Sequence, residues 1–169
     1  MRSDLTADDA DSADFLIIMP NEQFLHSDLT KVIIGTFYEV YNELGHGFIE
    51  SVYENSLAIA LRLKGYEVHQ QIAIPVWFRG KQVGDFDADI LVNKMVLLEL
   101  KVARSIDDAH LAQLLNYLKA TPIEVGLLLN FGPRREFKRV VLGNGRKAVT
   151  PTEPPSDLFL SASSELSAV

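Results

Sequence analysis

The sequence predicts a mixed α/β domain in which helices pack on a central β-sheet. Three observations carry that expectation: two helical-period stretches near the N-terminus, a change to strand-like runs after Gly65, and a third helical stretch followed by a wholly apolar strand. The resulting element order is α-α-β-β-β-α-β-β. With 169 residues, 47% hydrophobic and 23% charged, the chain suits one domain around one core.

The first helix is expected from Leu29. Val32, Ile33, Phe37, Val40, Tyr41 and Leu44 recur there at helical spacing, Asp28 or Thr30 can cap it, and Gly45 ends it. The second runs from about Glu50 to Lys64, with Val52, Tyr53, Leu57 and Leu61 inward and Gly65 just past its end. Glu67 to Phe78 is β-rich but broken by Pro75, Arg79-Gly80-Lys81 is a turn, and Val83 to Val92 and Val96 to Val102 are two further strands. A third helix spans about Asp107 to Ala120. Ser105 can cap it with Asp108 at capping-box spacing, and Pro122 ends it. Glu124 to Phe131 holds the apolar run Val125-Gly-Leu-Leu-Leu129, as in a strand buried on both faces, and Phe137 to Leu142 is the last strand.

The formal charge of −7 is unevenly placed. Residues 1–26 hold six acids against Arg2, and residues 148–169 hold three acids and no base. The first segment reads as a flexible acidic lead-in, inside which Met19 is an alternative start. The second, Pro- and Ser-rich, reads as a disordered tail. Residues 27–147 are the domain, nearly neutral, with a local basic stretch of Arg134, Arg135, Lys138, Arg139, Arg146 and Lys147 that suits either phosphate contact or strand-edge protection.

Several classes are excluded. With no Cys, disulfide frameworks, thiolate metal sites and cysteine nucleophiles are out. Apolar runs such as Phe15 to Met19 fall far short of the roughly 18 residues that span a bilayer, and the acidic N-terminus is unlike a secretory signal. A cytoplasmic protein with no membrane partner is expected.

The chemistry is concentrated in two predicted strands. Asp85-Phe-Asp87-Ala-Asp89 lies in one, and Glu99 and Lys101 lie in the otherwise apolar Val96-Leu-Leu-Glu-Leu-Lys-Val102. A carboxylate buried without a partner costs several kcal/mol, so these groups must be paired or bind something. Strand alternation puts Glu99 and Lys101 on one face. Asp89 joins them only if the hairpin loop is odd. A two-residue Asn93-Lys94 turn sets Asp89 against Leu98, whereas a three-residue loop to Met95 pairs Val92 with Val96 and sets Asp89 against Glu99.

Converged, two carboxylates and a lysine suit phosphodiester hydrolysis. Asp89 and Glu99 would hold Mg²⁺ or Mn²⁺, and Lys101 would orient water or stabilise developing charge. The bland alternative is an ion pair of Lys101 with Glu99 or Asp89 that ties two strands together. Glu50, in the first turn of the second helix, could face the site, as could Gln113 and Tyr117 at i,i+4 on the third, with His110 one turn before. Their alternatives are a helix-terminus charge for Glu50 and a solvated face for Gln113, Asn116 and Tyr117. His26, His46 and His69 have no ligand spacing. Trp77 and Phe78 suit sheet packing better than base stacking.

Gly47-Phe-Ile-Glu50-Ser-Val-Tyr53 resembles the pattern that names the GxxExxY family. The likeness continues in Asn42-Glu-Leu-Gly-His-Gly-Phe48, Gln71-Ile-Ala-Ile-Pro-Val76, Asp89-Ile-Leu-Val92, Glu99-Leu-Lys101, Gln113-Leu-Leu-Asn-Tyr117 and Val125-Gly-Leu-Leu-Leu-Asn-Phe-Gly132, over about residues 29–142. That family is placed in the PD-(D/E)XK nuclease superfamily, so the resemblance implies a restriction-endonuclease-like αβββαβ core, a central mixed sheet flanked by helices. It implies that Asp89, Glu99 and Lys101 are the catalytic set and that Glu50 supplements the metal site. It also implies that Gln113 and Tyr117 lie near the metal and the nucleic-acid backbone. Ala88 stands where the superfamily name has Pro.

The expected function is therefore a Mg²⁺- or Mn²⁺-dependent nuclease acting on DNA, in a form that admits a homodimer. The alternative is a catalytically silent module that binds nucleic acid or metal within a larger assembly.

Overall fold

The computed structural model describes residues 24–147. The expected acidic lead-in through residue 23, including Met19, and the expected tail lie outside the described residues. The elements are α1 (Ser27–Leu44), α2 (Glu50–Leu63), β1 (Val68–Phe78), β2 (Lys81–Val92), β3 (Val96–Lys101), α3 (Asp108–Ala120), β4 (Val125–Asn130) and β5 (Glu136–Val141), followed by a single 3₁₀ turn at Asn144–Arg146. The predicted order holds. One mixed sheet runs β1-β2-β3-β4-β5, antiparallel throughout except for the parallel β3–β4 pair that α3 connects.

The sheet is covered on both faces. On one, Ile33 and Phe37 of α1 and Tyr53, Leu57 and Leu61 of α2 pack on Ile90, Leu98, Leu100, Leu127 and Leu129. On the other, Leu114, Tyr117 and Leu118 of α3 pack on Ile72, Ile74, Leu97 and Leu128. At about 1.5–3 kcal/mol per fully buried large apolar side chain, these layers carry the stability. β4 is buried at every position, as its apolar run implies. Gly126 lets α3 come close, because a Cβ there would lie 2.8 Å from Leu114 Cδ1.

Local details differ from expectation where several polar groups compete. Neither Asp28 nor Thr30 caps α1. His26 stands at that position in left-handed backbone with no side-chain cap, and Thr30 Oγ1 donates instead to the Ser27 carbonyl (2.9 Å). Asp107, not Ser105, caps α3 in a reciprocal box: His110 N–H donates to Asp107 Oδ1 (2.9 Å), and Asp107 N–H donates to His110 Nδ1 (3.2 Å). Histidine thus takes the place usually held by Glu. Pro75 does not break β1. It stands opposite Asp85 within a continuous strand, which an edge position allows.

The loop between β2 and β3 has three residues. Val92 pairs with Val96, Leu91 with Leu97 and Ile90 with Leu98. Asn93 and Lys94 are left-handed (φ 50° and 56°), Met95 N–H donates to the Val92 carbonyl (2.9 Å), and Met95 is the extra residue. This is the odd-length register that sends Asp89 toward Glu99.

Candidate active site

Beyond Ile90–Leu98 the paired positions of β2 and β3 end, and Asp89 fills the gap. Its Oδ2 accepts the Leu100 N–H at 2.6 Å, so a side-chain carboxylate replaces a ladder carbonyl in the fork between the strands. Glu99 lies on the far arm and is 1% exposed. Lys101 Nζ donates to Glu99 Oε1 at 2.6 Å, while Glu99 Oε2 is buried with no hydrogen-bond partner among the described residues. The bland Lys101–Glu99 pair therefore exists, but it lies within β3, ties no two strands together, and among the described residues satisfies only half of the carboxylate.

The electrostatics follow from crowding. Burial pushes Asp89 up to about 6, against the pull of the Leu100 N–H, and the charges of Glu50 and Glu54 add to the rise. Burial, then repulsion from Asp89, pushes Glu99 up to about 7 despite Lys101. For Lys101, burial favours the neutral amine, but the hydrogen bond and charge of Glu99, with Glu50 and Asp89, hold it above its ordinary range. Lys101 stays a cation at neutral pH.

Glu50 opens α2 and is half-buried. Its charge is felt by Asp89, Glu99 and Lys101 alike, so the helix start lies near the fork. The preceding loop is stapled by fully buried Tyr53, whose hydroxyl donates to the Gly45 carbonyl (2.7 Å) and accepts the Phe48 N–H (3.2 Å). Tyr53 also stacks on Phe131 (4.5 Å).

From the α3 side, Tyr117 is 3% exposed rather than solvated. Burial raises its pKa, against the Gln113 hydrogen bond, and both Glu99 and Asp89 contribute to the rise. Gln113 Nε2 donates to Tyr117 Oη at 2.6 Å, closing the i,i+4 pair. Asn116 is exposed, and His110 belongs to the α3 cap. His69 pairs with Glu67 (2.6 Å), outside the site. Phe78 does not pack on the sheet: it is 60% exposed, with Arg79 over its ring. Trp77 is half-buried.

Two residues escaped the sequence reading. Glu54, one turn after Glu50, is 8% exposed and accepts from Gln70 Nε2 (3.1 Å) and Gln71 Nε2 (2.8 Å). The signal was its i,i+4 spacing from Glu50 next to Tyr53. Gln71 is the other, in left-handed backbone (φ 52°) in the middle of β1.

Among the described residues, no group of three or more His, Asp or Glu side chains is placed to hold a metal ion by itself. The donor set still fits a hard divalent cation whose remaining ligands are water and substrate oxygens. Asp89 and Glu99 offer carboxylate oxygens, and among the described residues no donor reaches the buried Glu99 Oε2.

A family model described as the PD-(D/E)XK nuclease superfamily matches residues 27–140. No curated protein matches the chain. A solved structure titled "Crystal structure of SSO0001" is 19% identical, with a TM-score of 0.46 over 73% of this chain and 63% of that one. The chain thus spans less than two thirds of that structure's length. No helix among the described residues is long and apolar enough to cross a membrane.

Proposed function

Since this chain belongs to the PD-(D/E)XK nuclease superfamily, with its mixed five-stranded sheet flanked by helices, we propose that it is a Mg²⁺- or Mn²⁺-dependent nuclease that hydrolyses phosphodiester bonds in DNA. The observation that carries this reading is the buried, half-satisfied Glu99 between Asp89 and Lys101. Within the superfamily, the Gly47, Glu50 and Tyr53 pattern supports membership of the GxxExxY group. Its parts have separable physical roles here: Tyr53 staples the loop, and Glu50 lies near the fork.

Asp89 and Glu99 hold the cation, and Glu50 adds a ligand or positions water. When bound, the cation polarises the phosphoryl group and lowers the pKa of water. Lys101 keeps its proton beside Glu99, orients the attacking water and faces the charge that develops on the phosphoryl oxygens. Gln113 and Tyr117 contact the substrate backbone from α3.

Thermal unfolding of wild type and Asp89→Ala/Glu99→Ala with and without Mg²⁺ or Mn²⁺, run beside cleavage of labelled single- and double-stranded DNA, tests this. Metal is expected to raise the wild-type midpoint alone, and wild type alone to cut. A metal-dependent midpoint with uncut DNA leaves a binding module. With no midpoint change and no cleavage, the acids and lysine are a structural ion pair within β3.

A further inference from the structure

The basic stretch from Arg134 to Lys147 is not one patch. Lys147 Nζ donates to the Thr121 and Ile123 carbonyls (2.6 and 2.8 Å), and Arg139 donates to the Leu25 carbonyl (2.5 Å). Arg135 donates to Asn42 Oδ1 (2.7 Å) and lies over the rings of Tyr38 and Tyr41. These cations fasten the fold. Arg134 is different: it is exposed, and its guanidinium makes no ion pair or hydrogen bond among the described residues. Arg104, in the loop after β3, has the same character.

The fold brings the backbones of these two loops together through Asn130, which ends β4 and is 0% exposed. Its Oδ1 accepts from Ala103 N–H (2.9 Å) and Gly132 N–H (3.2 Å), and its Nδ2 donates to the carbonyls of Ala103 and Arg134 (both 2.9 Å). Phe131 N–H donates to the Lys101 carbonyl (2.7 Å), and Tyr41 Oη donates to the Gly132 carbonyl (2.8 Å). Gly132 runs so close to Ala103 that a Cβ would lie 1.8 Å from its carbonyl oxygen. Two exposed arginines thus stand on fixed backbone at the carboxyl ends of the parallel strands β3 and β4, immediately beyond Lys101.

We propose that Arg104 and Arg134 form a phosphate clamp that binds the sugar–phosphate backbone of the nucleic acid beside the scissile bond. The inference rests on the nuclease reading. A site crowded by Glu50, Glu54, Asp89 and Glu99 with one lysine repels a polyanion, so cations close by are needed to hold it. Guanidinium forks match phosphate oxygens, and such contacts fix position without reading sequence.

The test uses full-length chain carrying Glu99→Gln, so that bound DNA stays uncut, with a labelled duplex and its single strand as probes over a salt series. Adding Arg104→Gln and Arg134→Gln together is expected to weaken binding at least tenfold and to lower the log–log salt slope by about one per arginine. Arg134→Lys with Arg104 intact, which keeps the charge but loses the fork, binds between the parent and the double variant. Lys31→Gln, ten residues and about 15 Å along α1 from Tyr41, leaves it unchanged. Equal affinity and slope in parent and double variant overturn the clamp, as does a parent that binds neither probe. Cleavage of the same duplex by the native sequence with Mg²⁺ separates the two readings. Cutting that ignores the arginines removes the clamp and keeps the nuclease, whereas arginine-dependent binding without cutting does the reverse.

Discussion

Gln71 and Asp89 stand opposite each other between the paired positions Gln70–Ile90 and Ile72–Ala88, and both strands change face there. Val68, Ile90 and Val92 pack toward α1 and α2, while Ile72, Ile74 and Ala88 pack toward α3, although strict alternation would keep each strand's set on one face. The left-handed backbone of Gln71 marks the switch, and Asp89, freed from the regular ladder, turns to the Leu100 N–H.

Gln71→Val is therefore expected to lose about 1–2 kcal/mol more than Gln71→Gly, because a β-branched residue resists left-handed backbone. Gln71→Asn, which tolerates that backbone, should lie near Gly. Thermal unfolding checks the order. Equal midpoints for Val and Gly would show that the backbone at Gln71 stores no strain.

The acid pair sets a pH dependence. Asp89 and Glu99 titrate higher in the folded chain than in the unfolded one, so the native state binds more protons between about pH 4 and pH 7. Their stabilisation is complete below the unfolded carboxyl range and is lost as pH rises through about 6 and 7. The metal-free chain should thus lose on the order of a few kcal/mol across that window. Glu99→Gln should flatten the profile, and added Mg²⁺ should raise the midpoint most above pH 7, where the carboxylates need no deprotonation. Midpoints across a pH series of both chains decide it.

Lys101→Met leaves the buried Glu99 carboxylate without the one donor it has among the described residues. The loss should be about 2 kcal/mol at pH 8 and much smaller at pH 5, where Glu99 is protonated. Chemical denaturation at both pH values measures the difference, and an equal loss at each would remove the charge argument.

Asn130→Ala unties four backbone groups at once. A cost of about 2–3 kcal/mol is expected, with faster hydrogen exchange at the Ala103 and Gly132 amides. Unchanged exchange there would mean that the loops are held by other contacts.

Much of this was legible in the sequence because it rests on period and parity. The alternation Glu99-Leu-Lys101 fixed a shared face, and counting loop residues reduced the hairpin to two registers, of which the structure has the odd one. The helical stripe around Tyr53 placed α2 and Glu50. What could not be read depended on contacts distant in sequence. Glu54 sits among buried apolar residues, and its partners, Gln70 and Gln71, come from another element. Asn130 looked like the end of an apolar strand, and only the β3–β4 pairing shows what it binds. Ser105 and Asp107 both suit the α3 cap by residue type, and the reciprocal bond to His110 settles the choice for Asp107.

Pro75 has a consequence for how copies of this protein can meet. It removes a backbone donor from β1, the edge strand, on which Gln71 is left-handed and the register shifts between Val76 and Trp77. Three irregularities within seven residues make that edge a poor template for another chain's strand. Open-ended growth of the sheet through β1 is disfavoured, which leaves β5, the opposite edge, as the only strand among the described residues whose backbone could be extended by another chain's strand.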